Sequence, residues 1–309
     1  MTCLLLAALS LLLASCARTD GQESGTHVPT ETTDEMTETR PADATDVTED
    51  VTSSLTLDGR RYTFVGDAED IRVEDAEFIF QRSGTFRVSG TLTEGSLVVD
   101  ADETAVVHLI LDGLSVTSGK KAPLCVLRAA AVIIECAEGS VNLLEDVSSA
   151  HVSHEAYQTS VLFADGNLRL CGSGSLVLSG KRQYGLVCAG QAIVDGVSLT
   201  VSAPEDALLI GKAFSCRAGR ICVTEAKNGI RVAASPRADA LPSYGTLSVM
   251  GGEIVVRCKE AALVSTHAIT VTGGKGSLYC EDAYLCGRTE EGKEIAGTVT
   301  VIQNWQKNE

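Results

Sequence analysis

The sequence predicts an all-β domain wound as a parallel β-helix, a solenoid of short strands stacked coil upon coil. Two observations lead there. Beyond Thr56 the chain is a series of short β-branched runs closed by Gly, Asp or Asn, with no helical periodicity of any length. These runs also recur. Ser175-Leu176-Val177-Leu178, Ser198-Leu199-Thr200-Val201, Arg220-Ile221-Cys222-Val223, Glu253-Ile254-Val255-Val256 and Gly276-Ser277-Leu278-Tyr279 follow at intervals of about 22 to 24 residues, with one longer gap. Composition agrees: 44% of the 309 residues are hydrophobic but only 4% aromatic. The core is therefore built of thin aliphatic layers, which suit narrow coils better than a wide sandwich or bundle.

A second ladder follows the first at a constant offset: Gly185-Leu186-Val187, Ala207-Leu208-Leu209, Gly229-Ile230-Arg231, Ala262-Leu263-Val264 and Ala283-Tyr284-Leu285. A weaker third contains Ala192-Ile193-Val194, Thr246-Leu247-Ser248 and Ala268-Ile269-Thr270. Three short strands per repeat imply coils that bury their inward side chains only against neighbours above and below. The long gap holds an insertion, residues 233–244, whose Pro236 and Pro242 remove ladder donors and loop it out of the stack. An antiparallel sandwich is the alternative, but its strand spacing of about 8 to 12 residues does not repeat one composition at one offset.

Three segments divide the chain. Residues 1–15 read as an export signal, since positions 3–14 are almost all Leu and Ala, too short a run to span a bilayer. That run ends in Leu13-Ala14-Ser15-Cys16, the pattern of a bacterial lipobox, in which Cys16 accepts the lipid. An ordinary secretory signal with a coincidental Cys is the alternative. Residues 16–54 carry about ten acids against two bases among Thr, Ser and Pro, a self-repelling tether too polar for a core. Residues 55–309 form the folded domain. The expected location is the cell surface, with the lipid as membrane anchor.

The net charge of −16 repels phosphate backbones, and no basic stripe overrides it, so nucleic acid is excluded as a partner. Nine cysteines follow Cys16, an odd number without a CxxC pair, which argues against zinc. Mostly free thiols acting as small core hydrophobes are expected, with a disulfide framework as the alternative. No nucleophile elbow, phosphate loop or dinucleotide fingerprint occurs.

One ordered series of motifs points further. Gly84-Thr85-Phe86-Arg87-Val88-Ser89-Gly90-Thr91-Leu92, Leu97-Val98-Val99-Asp100-Ala101-Asp102 and Leu109-Ile110-Leu111-Asp112-Gly113-Leu114 lead to Ala122-Pro123-Leu124. Ala137-Glu138-Gly139-Ser140-Val141-Asn142, Asp165-Gly166-Asn167-Leu168 and Gly172-Ser173-Gly174-Ser175-Leu176 continue it. Over most of residues 57–285 this resembles the clostridial carbohydrate-binding β-helix family of the polygalacturonate-binding type. The resemblance implies a right-handed single-stranded parallel β-helix, secreted or surface-bound, that binds acidic plant polysaccharide or cellulose-like chains and holds calcium at its corners.

Relatives of that family read Asp-Asp-Gly-Ile at the corner before the second strand. Here the corners are Gln183-Tyr184-Gly185, Glu205-Asp206-Ala207, Lys227-Asn228-Gly229, Glu260-Ala261-Ala262 and Glu281-Asp282-Ala283, so paired acids survive at only two. Glu205, Asp206 and Asn228 are the best candidate calcium ligands, with Glu281 and Asp282 as a second set; solvated turn carboxylates without metal are the alternative. Tyr184, Tyr244 and Tyr284, with Tyr157, are candidate stacking platforms for sugar, although turn packing explains each as well. Trp305 reads as a cap on the open end. His151 and His154, with Glu155, could touch a metal but equally suit a polar loop.

The expected function is non-catalytic binding of acidic or plant cell-wall polysaccharide by a monomeric, lipid-anchored surface protein. A structural or adhesive module with a protein partner and a divergent pectin-active β-helix enzyme are the alternatives. An enzyme of this fold needs a placed base or a carboxylate pair, and the sequence displays neither convincingly.

Overall fold

A computed structural model describes residues 51–147, 159–233, 245–287, 297–301 and 305–308. All lie in the unit Thr48–Glu309, one of two units into which the chain divides. The described residues contain 26 strands and no helix. They form one sheet of sixteen strands and one of ten, through which the chain passes alternately.

The ten-stranded sheet runs from Ile71–Glu74 and Glu77–Phe80 through Ser96–Asp100, Leu124–Arg128, Ser160–Ala164, Tyr184–Cys188, Asp206–Ile210, Asn228–Val232 and Ala261–Ser265 to Asp282–Cys286. Pairing among the described residues is parallel except in two hairpins at the N-terminal edges. Ser53–Gly59 pairs antiparallel with Arg61–Val65, and Ile71–Glu74 with Glu77–Phe80.

Alternation of side chains explains the packing. In Ser175–Ser179, Leu176 and Leu178 are fully buried while the flanking residues are half-exposed, as expected for a strand with one face on the core. Parallel pairing stacks like on like. Leu186 lies beside Leu208, Leu208 beside Ile230 and Ile230 beside Leu263, each fully buried. Each such side chain contributes about 1.5 to 3 kcal/mol through burial.

The second ladder of the sequence is therefore reproduced rung by rung, but two others shift. Glu253 pairs with Lys275 and Ile254 with Gly276, one residue away from the expected alignment of Glu253 with Gly276. The observed register keeps Val256 and Leu278 together in the core, whereas the slip would set Leu278 beside an outward position. In the third ladder Ala192 pairs with Phe214, Phe214 with Leu247 and Leu247 with Ile269, so Ala192 does not stand at the level of Thr246. The Phe214 rung was not anticipated.

Three strands per repeat become two sheets because the third and first ladders join. Val106–Ser118, Gln191–Ser202 and Ala213–Glu225 each run through a glycine and serve both columns. At that bend Gly90, Gly196 and Gly219 have φ of 90°, 102° and 90°, and a Cβ on Gly219 would lie 2.4 Å from the Val197 carbonyl oxygen. A side chain there meets both left-handed strain and the backbone of the preceding pass. Gly219→Ala is expected to lower unfolding free energy by about 2 kcal/mol or more, measured by urea denaturation; an unchanged midpoint would refute the account of the bend.

At the C-terminal end Trp305 pairs with Gly276, is 9% exposed and donates its indole N–H to the Gly273 carbonyl at 3.3 Å. Gly276 makes room for the indole, since a Cβ there would lie 2.1 Å from the ring. Of the insertion, residues 234–244 lie outside the described set. On either side the register is continuous, with Phe214 beside Leu247 and Val223 beside Val256.

Candidate functional site

The acid-bearing corners stack as their spacing implies, with Asp206 beside Asn228 and Ala261 beside Asp282. Their chemistry differs from the expected calcium ligation. Asn228 Nδ2 donates to Asp206 Oδ1 at 2.8 Å, and Arg231 Nε lies 3.0 Å from Asp206 Oδ2. Burial raises the Asp206 carboxyl above its ordinary range, against the lowering effects of Arg231 and Asn228. One residue earlier in each pass, Lys227 Nζ sits between Glu205 at 3.4 Å and Glu260 at 3.9 Å.

Calcium requires about six to eight oxygen ligands. Here two cationic side chains and an amide donor already engage the carboxylates, so Glu205, Asp206 and Asn228 do not fit the ion. Glu281 and Asp282 are exposed, and the Glu281 carbonyl accepts from Lys307. No group of three His, Cys, Asp or Glu suited to a metal occurs among the described residues. Cys16, His151, His154, Glu155, Tyr157 and Tyr244 lie outside them.

The remaining tyrosines are placed by strand parity. Tyr284 pairs with Leu263 and packs against the main core as the last member of the buried ladder, and burial raises its hydroxyl pKa. Its side chain is half-buried there. Tyr184 packs against a second apolar cluster formed by Ile79, Val98, Ala122, Cys125, Phe163 and Val187. That cluster lies on the opposite side of the ten-stranded sheet, because Leu97 and Val99 face the main core while Val98 does not.

Two clefts of about 330 Å³ combine polar groups with apolar walls. The first lies where the sheets meet in mid-stack. Glu103, Arg128, Asp165 and Asn167 line it together with apolar Leu127, Ala129 and Val132. Arg128 Nε is held 3.1 Å from Asp100 Oδ1, and Asn167 Oδ1 accepts the Gln191 N–H at 3.0 Å. Leu127, 40% exposed, supplies an apolar surface to solvent. Fixed donors and acceptors around such a surface suit a polyhydroxylated ligand. The second lies between the capping hairpins and is lined by Arg60, Tyr62, Val73, Ala76, Phe78, Leu92 and Glu94.

A third polar group projects from the sixteen-stranded sheet. His108 Nε2 lies 2.9 Å from Glu135 Oε2, and Arg169 is paired with Asp195 at 3.0 Å. His108 is 7% exposed, and its Nδ1 has no hydrogen-bond partner among the described residues. These residues were missed in the sequence because they stand on separate passes with no motif linking them.

An all-β stack of parallel strands with amphipathic surface clefts defines the class of protein, and comparison with known proteins places it. The solved structure of the polysaccharide lyase-like protein from C. thermocellum, a gadolinium derivative, superposes with a TM-score of 0.74 at 21% identity. The match covers 84% of this chain and 100% of that one, and establishes a shared fold. A family model described as carbohydrate-binding domain-containing protein matches residues 74–302, and the chain belongs to that family. It is also 24% identical over 158 residues to a carbohydrate-binding domain-containing protein of Acetivibrio thermocellus. That alignment covers 50% of this chain and 55% of the relative, so the chain spans about half of the relative's length.

Proposed function

We propose that the chain is a non-catalytic, lipid-anchored surface protein that binds polysaccharide through the open clefts of a right-handed single-stranded parallel β-helix. The observation that carries this reading is the mid-stack cleft, which Glu103, Arg128, Asp165 and Asn167 line together with Leu127 and Ala129 in a chain of a carbohydrate-binding family. Polar groups orient hydroxyls, while Leu127 and Ala129 receive the C–H face of a sugar. The strand registers repeat pass by pass, as a single-stranded helix requires. Acidic or plant cell-wall glycans are the proposed ligands, and Cys16 is the proposed point of lipid attachment. The protein acts as a monomer.

The second reading is a divergent glycan-cleaving enzyme, favoured by the juxtaposed His108 and Glu135. One experiment separates the two. The purified full chain is passed over immobilised pectic and cellulosic glycans, with calcium and then with chelator, and the eluate is assayed for reducing ends and unsaturated products. Retention without products in both conditions is the expected result. Products would establish the enzyme, loss of retention in chelator would assign calcium to the site, and no retention on any glycan would refute binding.

A further inference from the structure

We propose that the cleft between the two capping hairpins is a pyranose-binding subsite, in which Tyr62 is the stacking platform and Arg60 and Glu94 hold the sugar's hydroxyls. The inference rests on the reading of the chain as glycan-binding and names a place on it that the mid-stack cleft does not include.

Tyr62 is 48% exposed in a chain that hides Phe80 and Phe86 almost completely at the same end of the stack. Its ring is nonetheless fixed, edge-to-face on buried Phe78 with centroids 5.1 Å apart and planes at 83°. A ring already held loses little freedom when a sugar stacks on it, so contact area converts efficiently into affinity.

The polar groups enter from either side. Gly59 and Arg60 form the two-residue loop of the first hairpin, with Asp58 and Arg61 paired to each other across it. Arg60 is exposed on the cleft wall and makes no ion pair or hydrogen bond among the described residues. Glu94 enters from the other side, and one carboxylate oxygen accepts the Gly119 N–H at 3.2 Å, leaving the second for a ligand. A donor fork, an acceptor and an aromatic ring lining one cleft match the hydroxyl rim and apolar face of a pyranose. About 330 Å³ lies at the small end of ligand sites, room for a short saccharide.

The second hairpin shows that this wall is held in an unusual shape. Its loop, Asp75-Ala76, has φ of 47° and 65°, values that Asn-Gly normally supplies. Ala76 lines the cleft, and its carbonyl accepts the Ser96 N–H at 3.2 Å, which keeps the strained loop in place.

The test titrates the full chain and its variants with cello-oligosaccharides, xylo-oligosaccharides and oligogalacturonides by calorimetry. Tyr62→Ala is expected to weaken binding about tenfold, Arg60→Ala several-fold, and Tyr62→Phe, which keeps the ring, within about twofold. Arg60 is an exposed loop residue, so Arg60→Ala reports on the site even if Tyr62→Ala perturbs the hairpin. Parent-like affinity in both alanine variants overturns the subsite while leaving the general reading intact. No binding of any oligosaccharide by the parent overturns both.

Discussion

An Arg182→Met chain is expected to lose about 3 to 5 kcal/mol of stability, because the change leaves Asp146 as an uncompensated charge in the interior. Asp146 is fully buried and Arg182 nearly so. Arg182 Nε donates to Asp146 Oδ1 at 2.7 Å, while the Arg182 and Lys181 backbone N–H groups donate to Oδ2 at 3.0 and 3.3 Å. The guanidinium also donates to the Lys120 carbonyl at 3.1 Å. Three successive passes are thereby tied at one corner: the end of Val106–Ser118, the end of Val141–Asp146 and the turn before Tyr184–Cys188. Urea denaturation followed by circular dichroism measures the loss. Asp146→Leu combined with Arg182→Met is expected to recover much of it, since apolar replacement of both partners removes the stranded charge. A single-variant loss below about 1 kcal/mol would show that the network is not buried in solution.

Stability is expected to fall steeply above pH 9. The nine cysteines of the described residues are all free thiols. Burial, acting by desolvation, pushes Cys125, Cys136, Cys188 and Cys216 from 9.0 up to about 12. In the unfolded chain the same thiols release their protons near 9. Between those values the folded state binds more protons than the unfolded state, so raising the pH draws the chain toward unfolding. The stabilisation is whole below pH 9 and is lost progressively as pH rises toward 12. Each thiol accounts for about 1 kcal/mol between pH 9 and 10, and the four together for about 4 kcal/mol. Unfolding midpoints at pH 8 and pH 10, under reductant, measure the slope. Replacing Cys188 and Cys216 by alanine should lower the loss between pH 9 and 10 by about 2 kcal/mol; equal midpoints at the two pH values in the parent chain would contradict the burial argument.

Some of the molecule was legible before any coordinates. The second ladder, Gly185-Leu186-Val187 through Ala283-Tyr284-Leu285, aligned correctly because parallel stacking places equivalent residues at equivalent depth, and depth selects composition. The corner series was legible too, including the lysine at 227 that interrupts the acids. Other registers were not. Gly276 carries no side chain to declare its face, and only Trp305 packing into the space above it shows that it points inward. Likewise Tyr284 looked like a turn residue, whereas pairing with Leu263 turns its ring to the core.

What sequence alone determined, then, was an all-β stack, its repeat interval and most of its inward residues, since local alternation and recurring composition encode them. Tertiary structure decided which side chains share a cleft or a pair. Arg60, Tyr62, Ala76 and Glu94 come from two hairpins and a following turn, Arg182 meets Asp146 across 36 positions, and Arg231 reaches Asp206 from a neighbouring strand. Such partners share no local pattern, because their proximity is created by the stacking of passes distant in the chain.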